Sequence, residues 1–198
     1  MTKGRVEAFS DGVIAIIITI MVLELHPPEG TALSDLAPVL PKILGYVLSF
    51  AYVGIYWNNH HHLMQLVRHV RGGVLWANMH LLFWLSVIPF TTAWMSEHHA
   101  APVPTALYGG NLIMCGIAYT ILVRALISVN PPETGLAEAI GNDWKGWVSV
   151  GGYALAIPLA FFNRWISVAI YVSIALLWFV PDTRIERVLH KQHQLELK

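Results

Sequence analysis

Charge is what this sequence has least of. Only 12% of its 198 residues are Asp, Glu, Lys or Arg, against about 25% in soluble globular domains. The 12 acidic and 12 basic side chains cancel, so neither nucleic acid nor any strongly charged partner is indicated. Cys115 stands alone, which excludes a disulfide within the chain, and its apolar surroundings make it a packing residue. No Cys/His spacing of zinc-site type, no phosphate-cradling glycine loop and no nucleophile–base set is present. Enzyme chemistry is therefore not expected, and no cofactor or metal is implied. Internal repeats are missing too: nothing in the second half resembles "FSDG".

Apolar residues take the place of charge. They make up 56% of the chain, and mean hydropathy is +0.56, which favours the membrane class. A helix needs about 20 mostly apolar residues to cross a bilayer. Six segments approach that length: Val6–Leu25, Ile43–Val67, Val74–Met95, Thr105–Val129, Trp147–Phe162 and Trp165–Val180. The expected fold is a single all-α domain over residues 1–198 with six transmembrane helices. The last two segments are short and split only by "NR", which predicts a tight helical hairpin. Pro158 is expected to kink the fifth. The polar stretch Asn130–Lys145 has room for a short interfacial helix. The first run keeps Asp11 inside it and lacks a small-residue cleavage site, so it reads as a retained span.

Lysine and arginine set the orientation. With a cytoplasmic N-terminus, that side receives Lys3, Arg5, Arg68, Arg71, Arg124, Lys145, Arg184, Arg187, Lys191 and Lys198, and the other only Lys42 and Arg164. A multi-pass protein of the cell membrane with both termini inside is expected. Trp76, Trp94, Trp144, Trp147 and Trp165 fall near helix ends, where interfacial aromatics belong.

The first span, "RVEAFSDGVIAIIITIMVLEL", carries an Arg, a Ser and an Asp in its first third. At 100° per residue, Arg5, Phe9, Gly12, Ile16, Thr19, Ile20 and Leu23 share one stripe, whereas Asp11 points away from it. A carboxylate at such depth is costly in lipid. Asp11 is therefore expected to face protein or water as a structural tie between helices, with a proton or ion site as the sharper alternative. For the stripe two readings stand: ordinary helix packing, or a hydrophobic constriction that gates by dewetting. The second requires several copies around one axis, since one helix encloses nothing.

Ten histidines invite a metal reading. His60, His61 and His62 are consecutive, so on a helix they diverge by 100° each and cannot converge on one ion. A structural polar network is expected instead, with Asn58, His61, Asn78 and His80 pairing with Asp11. His98 and His99 lie in an external loop.

The pattern R-x-x-x-F-S-D at Arg5, Phe9, Ser10 and Asp11, continuing "GVIAIIITIMVLEL", resembles the endolysosomal potassium channel family and its bacterial homologues. "YWNNHHHLM" and "RHVRGGVLWANMHLLFWLSVIPF" are similar as well. The resemblance implies a potassium-permeable cation channel without a TVGYG filter loop, and this sequence contains none. It implies that the first helix lines the pore and that a chain with one six-helix repeat assembles as a homotetramer. The narrowest apolar ring would fall at Ile16, a hydroxyl layer at Thr19, and further lining at Ile20 and Leu23. Arg5, Phe9, Ser10 and Asp11 would hold the cytoplasmic ends of the helices together. Bacterial members are less selective than animal ones, which implies modest selectivity here. A proton-coupled transporter using Asp11 and the histidines is the alternative; transporters commonly show internal repeats and broken midplane helices, and neither is evident.

Overall fold

The computed structural model describes residues 2–141 and 143–179. The end of the sixth segment and the basic residues Arg184, Arg187, Lys191 and Lys198 lie outside the described residues.

Helix α1 (Lys3–Leu23) is stopped by Pro27 and Pro28 shortly beyond its end. Helix α2 (Leu40–Gln65) starts with Pro41 in its first turn, where a missing N–H costs nothing. Helices α3 (Gly72–Ser86) and α4 (Ile88–Glu97) form one stretch interrupted at Val87. Pro89 explains the break, because it removes a backbone donor and crowds the preceding turn. Helix α5 (Pro102–Val129) is followed by a 3₁₀ turn and the short helix α6 (Leu136–Ile140), in the loop where an interfacial helix was expected. Helix α7 (Trp144–Phe179) closes the described chain.

The backbone of α7 leaves helical values at Asn163 (φ −152°, ψ 100°) and not at Pro158. Asn163 Oδ1 accepts from the Trp165 N–H at 3.1 Å, capping a second helical arm. Ser167 Oγ donates to the Ala156 carbonyl at 2.7 Å, and Trp178 Nε1 donates to Ser149 Oγ at 2.9 Å. On a straight helix those partners would be about 16 and 43 Å apart. The two arms therefore run antiparallel, as a hairpin.

Four helical stretches of the described chain are long and apolar enough to cross a membrane: Lys3–Leu23, Gly72–Glu97, Pro102–Val129 and Trp144–Phe179. Helix α2, at 26 residues, has the length. Its apolar character is diluted by Lys42 and the run from Asn58 to His62.

Helix α5 is the centre of the bundle, packed on α3, α4 and α7, while α1 packs on α2, α3 and α4. One core cluster joins α1, α3 and the second halves of α2 and α5, through residues such as Ile14, Ile17, Met64, Leu81, Leu85 and Leu122. The other contains a closed ring of four tyrosines. Its neighbours are Tyr52–Tyr108 (6.5 Å), Tyr108–Tyr171 (5.5 Å), Tyr171–Tyr153 (6.2 Å) and Tyr153–Tyr52 (6.2 Å). Burial of a phenol requires a partner for its O–H. The Tyr52 hydroxyl donates to the Tyr171 carbonyl (2.6 Å), and Tyr171 donates to the Thr105 carbonyl (3.0 Å). Tyr108 pairs with Ser49 Oγ (3.0 Å), which also meets Thr92 Oγ1 (2.6 Å).

The ring depends on Gly109, where an added Cβ would fall on the Tyr171 hydroxyl. Gly109→Ala should destabilise the protein by about 1–3 kcal/mol through overpacking, read as a lower unfolding midpoint in detergent. Adding Tyr171→Phe should recover part of that loss, since it removes the clashing oxygen. Two additive losses would mean that the ring does not depend on that approach.

Candidate functional site: the outward face of the first helix

Helix α1 has two faces. Val6, Ser10, Ile14, Ile17 and Met21 are buried against the rest of the chain, at the spacing of one helical stripe. Roughly 130° round the helix by the same period, Arg5, Phe9, Gly12, Ile16, Thr19, Ile20 and Leu23 are all exposed. Ile16 is 58% and Leu23 75% accessible. That exposure belongs to large apolar side chains on a helix whose opposite side is fully packed.

The buried face is held by a directed chain of hydrogen bonds. Asn78 Oδ1 can only accept, so His60 Nε2–H donates to it at 2.9 Å. Asn78 Nδ2 then donates to Ser10 Oγ at 2.9 Å, and the Ser10 hydroxyl donates to the Val6 carbonyl at 2.8 Å. All three side chains are buried. The network thereby assigns His60 the tautomer protonated at Nε2. It ties α1 to α2 and α3 at one depth and fixes the rotation of α1 about its own axis.

Asp11 lies on the flank, where Oδ1 accepts from Trp57 Nε1 at 3.0 Å. Trp57 stacks on His61 (centroids 5.9 Å apart, planes 19°), and Gln65 Nε2 lies 3.0 Å from His61 Nε2. Lys3 Nζ donates to the Gln65 carbonyl at 3.2 Å. The expected network members are thus dispersed. Asn78 joins Ser10, not Asp11, and His80 Nε2 accepts from Trp84 Nε1 at 2.9 Å. Asn58 and Arg5 are exposed and their side chains make no polar contact among the described residues, and Phe9 is half exposed. Sequence reasoning passed over His60 and Trp57. The signal for His60 was available, because Ser49, Val53, His60, Leu63 and Met64 form the buried stripe of α2, and His61 falls beside it. No cluster of three or more metal-ligating side chains occurs among the described residues.

On the exposed face the Thr19 hydroxyl donates to the Ile16 carbonyl at 2.8 Å. With that proton committed, the exposed hydroxyl oxygen is left as an acceptor. Beside the stripe runs an open groove of about 560 Å³ between α1 and the α3–α4 break. Val13, Ile16, Ile17, Ile20 and Glu24 form one wall, and Ser86, Pro89, Phe90 and Ala93 the other.

Truncating Asn78 to Ala orphans the buried His60 N–H and should cost about 1–3 kcal/mol of stability. His60→Ala added to Asn78→Ala should cost less than the sum of the single losses, measured by thermal unfolding in detergent. Strict additivity would show that the two side chains do not act through each other.

Comparison with known proteins supplies the context for this arrangement. Residues 5–89, from α1 to the start of α4, match the family described as endosomal/lysosomal potassium channel TMEM175. A potassium channel of Chryseobacterium sp. (strain P1-3) is 54% identical over 189 residues, covering 96% of this chain and 98% of its own. A potassium channel of Chamaesiphon minutus is 30% identical over 187 residues, covering 87% of this chain and 91% of its own. The crystal structure of a lysosomal potassium-selective channel TMEM175 homolog from Chamaesiphon minutus superposes with a TM-score of 0.79 at 29% identity. That match covers 91% of this chain and 97% of the other. The anchored, one-sided first helix described above lies within the matched segment: the chain belongs to the TMEM175 family of ion channels.

Proposed function

We propose that this protein is a passive, potassium-permeable cation channel, a homotetramer whose pore is lined by α1 with its constriction at Ile16, Thr19, Ile20 and Leu23. The observation that carries this reading is the division of α1 into a packed face and a bare apolar face. A single chain leaves Ile16 and Leu23 uncovered, and four copies around an axis give those side chains a ring to form. Permeation of potassium itself is carried over from the names of the two bacterial relatives.

The arrangement uses six membrane passages: α1, α2, the α3–α4 stretch, α5 and the two arms of α7. An even number returns both termini to one side, and the Lys/Arg bias makes that side cytoplasmic in a cell-membrane protein. Lys3, Arg5, Arg68 and Arg71 then mark the cytoplasmic side, together with the Ser10 anchor. Proton-coupled transport has less to work with. Asp11, His60 and His61 gather at one end of the bundle, and Asp11 is engaged by an indole.

A cation reaching an Ile16 ring meets no carbonyl or carboxylate there. The barrier is set by how much hydration the ring strips away, and potassium sheds water at lower cost than the smaller sodium ion. One turn on, Thr19 offers a hydroxyl oxygen whose proton is already committed to the Ile16 carbonyl.

Three measurements test this. Mass determination in detergent should give four subunits, and a monomer that conducts would overturn the assembly. Ile16→Asn should wet the ring, raise conductance and bring sodium permeability toward that of potassium. Thr19→Val should lower selectivity without a comparable rise in current. Reversal potentials under mixed potassium and sodium read both effects; if neither changes in an intact tetramer, the ion path lies elsewhere.

A further inference from the structure

The turn between α2 and α3 is a fixed piece of backbone that carries two exposed cations. Residues 67–71 form no regular element. The buried Asn130, at the end of α5, holds them with both ends of its amide. Its Oδ1 accepts from the Arg68 and His69 N–H groups at 2.7 and 2.8 Å, and its Nδ2 donates to the His69 carbonyl at 3.0 Å. Arg68 and Arg71 are exposed, and neither side chain has an ion pair or a hydrogen bond among the described residues. The backbone beneath them is already ordered, which lowers the entropic cost of receiving a ligand. The stretch Gly72–Glu97 is long and apolar enough to cross a membrane, so its first turn stands at a membrane surface. From that turn Gly72, Trp76, Met79 and Phe83 follow at the spacing of one helical stripe. All four are exposed, Trp76 by 78%. An added Cβ at Gly72 or Gly73 would meet nothing, so the start of this stripe is uncovered.

We propose that the α2–α3 turn and this stripe bind an anionic phospholipid, its phosphate held by Arg68 and Arg71 and an acyl chain laid along Trp76, Met79 and Phe83. A guanidinium suits a phosphate because its planar fork donates two parallel N–H bonds and it is more weakly hydrated than an ammonium. An indole belongs at the level where headgroups meet hydrocarbon. Charge and apolar surface follow one another here in the order in which a phospholipid carries them, and a soluble anion would leave the apolar part unused. An excess of positive charge on one side of a membrane attracts anionic lipid diffusely; the Asn130 clamp makes this a defined place. The inference needs only the α3–α4 stretch to cross the membrane, and it does not depend on the α1 pore.

The test is native mass spectrometry of the full chain in neutral detergent, titrated with dioleoyl phosphatidylglycerol or with dioleoyl phosphatidylcholine, which share their acyl chains. Wild type should bind phosphatidylglycerol about ten-fold or more tightly than the zwitterionic lipid. Arg68→Gln and Arg71→Gln should each lower that affinity by about five-fold, and the double variant should bind the two lipids alike. Trp76→Ala should weaken both lipids equally, because it removes surface that the headgroup does not touch. Arg124→Gln removes the same charge from an exposed site on α5 and should leave the preference intact. An equal loss in Arg124→Gln would reduce the effect to diffuse attraction and overturn the proposal. Displacement of phosphatidylglycerol by low-millimolar inorganic phosphate would overturn it as well, since that marks a site for a free anion. A changed subunit count in the double variant, with its lipid affinity unaltered, would make the turn a contact between copies instead.

Discussion

The rotation of α1 about its own axis is the constraint on which the rest depends. A helix so uniformly apolar has little hydrophobic reason to present one face to its neighbours over another, and inside a bilayer that preference weakens further. The chain from His60 through Asn78 to Ser10 supplies the missing specificity. Hydrogen bonds of this kind are directional, and in a buried setting each unmade one is costly. Ser10 can satisfy Asn78 only with Ile14, Ile17 and Met21 turned inward. Ile16, Thr19, Ile20 and Leu23 are then turned outward as a consequence of what the opposite face binds.

The polar residues at the head of α1 and the bare residues further along it are therefore two halves of one device. In the pore proposed above, the branched apolar side chains of α1 would offer an ion nothing to bind. They would offer a diameter and a degree of dryness, and both would depend on holding the side chains at fixed angles. Nearby, the Tyr52–Tyr108–Tyr171–Tyr153 ring performs the corresponding task for the packing of α2, α5 and α7. Of these three helices α2 also packs on α1. The break between α3 and α4 falls opposite Ile16 and Ile20 across the open groove, where a straight helix would run on past the stripe.

Much of this was legible in the residues. Apolar runs located the helices, and the exposed stripe of α1 follows from counting at 100° per residue. The reversal between "FF" and "WI" followed from a two-residue interruption too polar and too short for anything but a tight turn. On α2, what escaped depends on which of several neighbouring side chains faces a partner. His60 rather than His61 meets Asn78 because α2 buries the stripe through Val53 and Met64. The kink expected at Pro158 is missing from the backbone angles of α7, which leave helical values only at the reversal itself, Asn163. The Trp57 indole took the place expected of a histidine beside Asp11. Nothing in the spacing of charged residues announces an indole as a partner.

The central claim is that the exposed face of α1, and not its packed face, borders the ion path. Cysteine accessibility compares the two directly, because the native Cys115 is buried and gives a quiet background. Leu23→Cys and Met21→Cys place a thiol two residues apart on opposite faces of the same turn. A charged, membrane-impermeant thiol reagent applied during recording should reduce potassium current through Leu23→Cys and leave Met21→Cys unaffected. Loss of current in Met21→Cys alone, or in neither variant despite labelling at Leu23→Cys, would contradict it.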